Sequence, residues 1–431
     1  MAPGARGPRL PAGTWTAILC AGFVLVCAAA ALVLDTTKSD LDGFFWPSAE
    51  IAAHGHPLLV YSVRQGQYPD ANGPLSLVPL TLVAALANAL GVATNMPVRD
   101  ALAEGLFAGF TLLMAREAVL AVEAGRGRPV RRLLTGAVFL ALPPLWVATI
   151  GFGHVEQPLE LWLVLLGVRL LGAGATLRAG LCLGLAALTR SLAVVSLIPL
   201  LPALVAERRL RSLAVLLGTA ALVAVIGLLP FWLADRSDLV YSLVSYRASL
   251  PVAGGTFWVA FQGAPWIGVV RSGDSWIFAG AALGLGALML GLRRGGGTAP
   301  PRVFGLMAVA ALCVPVLAKT SWPYYLLDPC VFATIWWLGQ PSGVRSWRAI
   351  PPLAVAAGGA VLGGVEQSLP LGTVPGEVAG FAGSAGAAAV IALIVAGDLR
   401  SAGSRRPLRR GPPGWGSPGW WTRRRRADRM W

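Results

Sequence analysis

Long apolar runs separated by short polar or basic stretches dominate the chain. They fall near 14–34, 73–92, 101–122, 133–150, 158–174, 179–206, 212–233, 276–292, 303–318, 323–339, 349–365 and 378–396. A helix needs about 20 apolar residues to cross roughly 30 Å of hydrocarbon, and most of these runs approach that length. Inside lipid the backbone must satisfy its own hydrogen bonds, so each run predicts a helix. The expected fold class is all-α, a polytopic transmembrane bundle of about 10–13 membrane segments with a helical first outer loop. Residues 1–398 form the membrane domain and residues 399–431 a separate tail.

Composition agrees with this pattern. Hydrophobic residues make up 56% of the chain and charged residues 13%, with a mean hydropathy of +0.67. A soluble domain carries about a quarter of its residues as charges, so a water-soluble enzyme is excluded, as are disordered and collagen-like chains. The five cysteines, at 20, 27, 182, 313 and 330, stand singly and read as packing residues. The first run follows Arg6 and Arg9 and stays apolar past Ala28–Ala31, as an uncleaved signal anchor does.

The net charge of +15 is unevenly placed. Arginines cluster at Arg6/Arg9, at Arg126, Arg128, Arg131 and Arg132, at Arg208, Arg209 and Arg211, at Arg293/Arg294, at Arg345/Arg348 and beyond Arg400. The positive-inside rule puts these stretches, and both termini, in the cytoplasm of a multi-pass cell-membrane protein. Ten arginines and one acid, Asp428, lie between Leu399 and Trp431. That Gly-, Pro- and Trp-rich tail is expected to be disordered and to touch anionic lipid rather than nucleic acid.

Segment 179–206 runs between Arg178 and Arg208, so it starts and ends on one side. A broken helical hairpin turning at Thr189-Arg190-Ser191 fits, because arginine is costly in an apolar stretch unless it faces a cavity or partner. One parity conflict remains between Asn72 and Arg126, where two segments stand and an odd number is required. The second, flanked by Asp100, Glu104, Arg116 and Glu117, is the less typical span. With this topology the polar features gather on the outer face: 35–72, the turn GFGHVEQ at 151–157, Arg190, the loop 235–276 and KTSWPYY at 319–325.

Within the first outer stretch Asp40 and Asp42 are the catalytic candidates. A carboxylate at a membrane–water cleft can accept a proton from an attacking hydroxyl, and partial desolvation raises its affinity for that proton. The same acids also suit a hydrated exit from the bilayer. His54 and His56 could share a metal only in an extended segment, and no acid-rich ligand set accompanies them, so no metal is expected. Tyr68-Pro69-Asp70 and Asn72-Gly73-Pro74 form a turn into the next helix. His154, Glu156 and Gln157 interrupt apolar sequence and could orient a sugar or phosphate, or form a plain polar turn. Lys319, one of two lysines in the chain, offers a fixed cation for a lipid phosphate. Trp322, Tyr324 and Tyr325 suit the interfacial aromatic belt.

The order of these pieces resembles the polytopic GT-C glycosyltransferases, especially bacterial polyprenyl-phosphate-mannose-dependent alpha-mannosyltransferases. SDLDGFFWPSAEIAAHGHPLLVY followed by YPDANGPL is similar to that family's aspartate-led outer loop and its Tyr-Pro-Pro turn. GHVEQ followed by RAGLCLGLAALTRS is similar to its Gln- and Asn-bearing turn and the helix after it, with Arg190 where a lysine is usual, and KTSWPYYLLDP to its late aromatic segment. The likeness spans roughly residues 14–340. His154 and Glu156 depart from the usual Gln and Asn, and Asp70 from the second proline.

The resemblance implies a GT-C-like fold and transfer of a hexose, mannose first, from a polyprenyl-phosphate sugar to a glycolipid or polysaccharide hydroxyl at the outer face. It implies Asp40 or Asp42 as base and Arg190, Lys319 and His154 at the donor phosphate. Glu156, Gln157, Tyr68, Asn72, Trp322 and Tyr324 would contact sugar or acceptor. No cofactor beyond the lipid-linked donor is implied. The competing expectation is a secondary transporter or flippase for such a precursor, although the two halves show no internal repeat and the charges gather at one rim.

Overall fold

A computed structural model describes residues 12–33, 40–62, 69–206, 208–254, 256–272 and 300–340, with isolated positions between 277 and 284 and between 385 and 392. The runs at 349–365 and 378–396, most of 276–292, the basic tail, and Tyr68 lie outside the described residues.

The described chain is mostly helical. Helix α1 spans Ala12–Val33, and a π-helical turn at Leu41–Phe45 leads into α2 (Trp46–Ala53). Then come α3 (Pro74–Ala89), α4 (Met96–Arg126), α5 (Arg132–Leu140), and α6 (Pro143–Trp146) with a second π turn at Val147–Gly151. Beyond the 152–156 turn lie α7 (Gln157–Gly172), α8 (Thr176–Thr189), α9 (Ala193–Leu197), α10 (Leu200–Ala206) and α11 (Leu210–Ala234). Short helices α12 (Arg236–Val240) and α13 (Tyr246–Ser249) precede α14 (Pro300–Leu317) and α15 (Leu327–Leu338). Strands β1 (Ala253–Gly254) and β2 (Thr320–Ser321) pair in parallel.

Among the described residues three helices, α1, α4 and α11, are long and apolar enough to cross a membrane, and the bent pair 132–140 and 143–151 makes a fourth if counted as one span. Their surroundings differ. Only 11% and 6% of the apolar windows of α1 and α11 are buried, against 56% for α4. Leu25, Val26 and Val33 on α1 and Leu222, Val225 and Ile226 on α11 are exposed, as a lipid-facing side requires. Helix α4 is the central post. Asn95 caps its start by accepting from Val98 N at 3.2 Å, and Gly127 ends it at φ 65° in the left-handed region that favours glycine. Of the two segments in the parity conflict, the one with charged flanks forms a 31-residue helix long and apolar enough to span, its acids and arginines paired with neighbours, and the 16-residue α3, carrying Pro79 inside it, is a shorter apolar helix.

The hairpin expected at 179–206 appears as a break. Helix α8 stops at Thr189, Arg190 takes extended backbone (φ −146°, ψ 128°), and helix resumes at Ala193. A glycine seam fixes the direction of α11. A Cβ at Gly180 would meet Leu216 O at 2.9 Å, one at Gly184 would meet Ala220 O at 2.9 Å, and one at Gly227 would strike the Leu188 side chain. Advancing four residues on α8 advances four on α11, so the two helices run parallel at near-backbone contact. Residues 193–206 must then carry the chain back.

One apolar cluster runs along the bundle and a second gathers at the end that holds Asp40. Met114, Phe139, Leu161, Leu165, Met307 and Phe332 join α4, α5, α7, α14 and α15. Leu41, Phe45, Trp46, Leu80, Phe107 and Val155 pin the π turn and α2 against α3, α4 and the 152–156 turn. The second cluster positions Asp40, whose amide donates to Phe152 O at 3.3 Å.

Candidate active site

Residues two apart on a helical turn point to nearly opposite sides. Asp40 and Asp42 therefore separate. Asp42 pairs with Arg99, which also donates from Nε to Asp100 at 3.0 Å and lies 4.7 Å over the Trp46 ring. That set clasps the π turn to the start of α4. Asp40 turns the other way, its Oδ2 lying 2.8 Å from His154 Nε2.

From Asp40 a chain of polar contacts runs inward. His154 Nδ1 lies 2.7 Å from Glu156 Oε1, which also accepts from Asn72 Nδ2 at 3.1 Å. Arg190 Nε lies 3.6 Å from the same Glu156 oxygen, while its Nη1 donates to Glu160 Oε2 at 3.0 Å and lies 3.9 Å from Asp328 Oδ1. Gln157 Nε2 donates to Asp328 Oδ1 at 2.6 Å and to Tyr324 O at 3.1 Å. The Tyr324 ring sits 3.7 Å from that of His154, and Phe45 meets the imidazole edge-on at 5.2 Å. A cavity of about 10 Å³, lined by Ser196, Tyr325 and Asp328 among others, adjoins the inner limit of this network. It has room for about one water.

Burial is nearly complete. Glu156, Gln157, Glu160 and Arg190 are at most 2% exposed, whereas the Asp40 side chain keeps 18% of its surface. Asp40 is thus the acid of the network that reaches solvent. Burial works against a charged His154, but Glu156 and the hydrogen bonds to Asp40 and Glu156 outweigh it and raise its proton affinity. Asp70, fully buried, accepts from Asn72 N at 2.9 Å, and desolvation holds its carboxyl well above the usual range. Three acceptors within this region, Asp70 Oδ2, Glu156 Oε2 and Gln157 Oε1, have no donor.

Local backbone explains why these residues converge. Gly73 N donates to Thr189 O at 3.1 Å, and a Cβ at Gly73 would lie 2.0 Å from Leu188 O. Only glycine lets the 69–73 loop abut the end of α8 beside Arg190. Gly153, at φ 76°, lets the chain reverse between Phe152 and His154.

Comparison with known proteins finds no matching family model, no matching curated protein and no matching solved structure. The chemistry of the site therefore rests on its own residues.

Of the residues singled out in the sequence, Asp40, Asn72, His154, Glu156, Gln157, Arg190 and Tyr324 come together. Asp42 belongs to the Arg99 clasp. Lys319 is buried, and its amine donates to Arg271 O at 3.1 Å, beside the strand pair. Trp322 is half-buried against the larger apolar cluster. His54 and His56 are exposed, and among the described residues no group of three or more His, Cys, Asp or Glu is arranged to hold a metal. Three residues escaped the sequence reading: Glu160, Asp328 and, as more than a turn former, Asp70. Glu160 and Asp328 each stand as an acid inside an apolar run, which is itself the signal of a functional or paired group.

Proposed function

We propose that the chain is a membrane-embedded glycosyltransferase that moves a hexose, mannose first, from a polyprenyl-phosphate sugar to an acceptor hydroxyl of a glycolipid or polysaccharide at the outer membrane face. The observation that carries this reading is Asp40, a partly exposed carboxylate held by a buried His154–Glu156 pair at the rim of a helical bundle. In the step, Asp40 takes the hydroxyl proton, the acceptor oxygen bonds to the anomeric carbon, and the carbon–oxygen bond to phosphate breaks, releasing polyprenyl phosphate.

The other groups take supporting roles. Asn72, Glu156, Gln157 and Tyr324 supply polar atoms for sugar or acceptor hydroxyls. Arg190 is the cation for the departing phosphate, while Lys319, committed to Arg271 O beside the strand pair, drops out of that role. A phosphate at Arg190 would compete with Glu160, Glu156 and Asp328, so donor binding requires at least one of these contacts to loosen. The test is transfer of labelled sugar from polyprenyl-phosphate-mannose in membranes carrying the wild type, Asp40→Asn or Asp42→Asn. Loss with Asp40→Asn at normal protein abundance supports the reading. Full transfer by Asp40→Asn removes the proposed base, and no transfer above empty membranes removes the donor.

One observation favours transport instead. Arg190 lies at a helix break, buried among three carboxylates, and discontinuous helices are a recurring feature of carrier binding sites. Export of an intact sugar lipid by vesicles, without transfer, would establish that alternative.

A further inference from the structure

His154 meets only acids at its two ring nitrogens, Asp40 at 2.8 Å and Glu156 at 2.7 Å. A neutral imidazole carries one N–H, so one contact would then set a nitrogen lone pair against a carboxylate oxygen. The imidazolium donates to both. The ring cannot turn away to water, since it is 5% exposed, stacked on Tyr324 and met at its edge by Phe45.

Every neighbouring element contributes to its field. Asp40 faces it from the π turn, Glu156 from its own turn, Asp70 from the loop before α3 and Tyr324 from the turn before α15, and Arg190 stands behind Glu156 at the α8 break. Asp40 and Glu156 favour charge on the ring, Asp70 keeps its own proton, and Arg190 opposes the charge from beyond Glu156. The balance raises the proton affinity of the imidazole despite burial.

We propose that His154 is a positioning residue, a fixed imidazolium strung between Asp40 and Glu156 that holds the Asp40 carboxyl in one orientation at the cleft. The proposal rests on the transferase reading. It replaces a phosphate-binding role for His154, whose donors are both committed to acids. In the reaction the ring neither gains nor loses a proton, and Asp40 alone takes the one released by the acceptor.

The chain has three histidines, and the other two, His54 and His56, are exposed. The full-length protein in lipid nanodiscs, labelled with nitrogen-15 histidine, therefore gives a resolvable set of ring signals, with His154→Gln identifying its own. The expected result is a His154 ring protonated at both nitrogens at neutral pH, held so by the acids at its two nitrogens. Glu156→Gln should weaken proton binding to His154 by at least about ten-fold. Asp40→Asn, at a more exposed position, should do the same should the Glu156 variant fail to fold.

A second readout is the pH profile of sugar transfer. The alkaline limb of the wild type should follow the His154 titration and move to lower pH in Glu156→Gln. A neutral His154 ring at about pH 7 in a protein that transfers sugar overturns the proposal and leaves the transferase reading standing. A charged ring in a protein that transfers nothing overturns both.

Discussion

The two ends of the α4–α7 pair hold buried acids in opposite ways. These helices run side by side in the same direction, with Phe110 against Trp162 midway and Glu117 against Arg169 near their ends. At the Arg126 end the acids are saturated. Glu117, 1% exposed, receives Arg169 Nε at 2.5 Å and Nη2 at 3.3 Å as well as Arg116 Nη1 at 2.8 Å. Glu123 receives Arg132 twice and Val130 N once. The arginines reach in from exposed or half-exposed positions, so solvent shares their charge. At the His154 end Asp40, Asp70, Glu156, Glu160 and Asp328 face Arg190 and His154, and three oxygens have no donor. Saturated acids tie helices together. Unsaturated ones keep bonding capacity in reserve, which is where a ligand's hydroxyls or a proton can be accommodated.

Substitutions at the two ends should separate these roles. The largest effect is expected from Asp40→Asn, which should cut sugar transfer by about 10²- to 10⁴-fold, the usual contribution of a positioned base. Glu117→Gln at the other end should leave transfer per folded molecule within about two-fold, and comparable losses from both would erase the distinction. Next is Arg190→Met, which strands Glu160 and Asp328 without their cation and should cost about 3–5 kcal/mol, measured as lost monodisperse protein in detergent. Glu117→Gln should cost only about 1 kcal/mol of thermal stability, since its arginines can return to water.

The smallest effect concerns Asp70. Its raised proton affinity means that the folded state binds a proton the unfolded chain has already released, so this group destabilises the fold as pH rises from the ordinary carboxylate range toward the folded value. Asp70→Asn should gain up to about 1 kcal/mol at neutral pH, and the gain should shrink at about pH 5. A gain that grows on acidification would show that Asp70 is held ionised.

Much of this was legible in the sequence, for identifiable reasons. The runs at 14–34, 158–174 and 212–233 fall within two residues of α1, α7 and α11 at either end, because continuous hydrophobicity fixes a helix wherever water is absent. Arg190 marked the α8 break because an unpaired guanidinium cannot sit in lipid. Hydropathy left 101–122 the less typical span, since it counts Glu104 and Glu117 as costs whether or not a neighbour pairs with them. For the same reason it passed over Glu160 and Asp328, single acids diluted by leucines. The choice between Asp40 and Asp42 depends on helical phase and on where Arg99 and His154 lie, and no local pattern carries those facts.

The cluster around Arg190 also constrains the order in which the protein can be made. Its closest counter-charge, Glu160, and the Glu156 turn leave the ribosome before it does, so the guanidinium can enter the membrane already matched. Asp328 and Tyr324 arrive last, and both contacts of the Gln157 amide await them. A nascent chain halted before α15 would thus hold its arginine beside Glu160 and Glu156 with Asp328 missing, and synthesis of α15 completes the network.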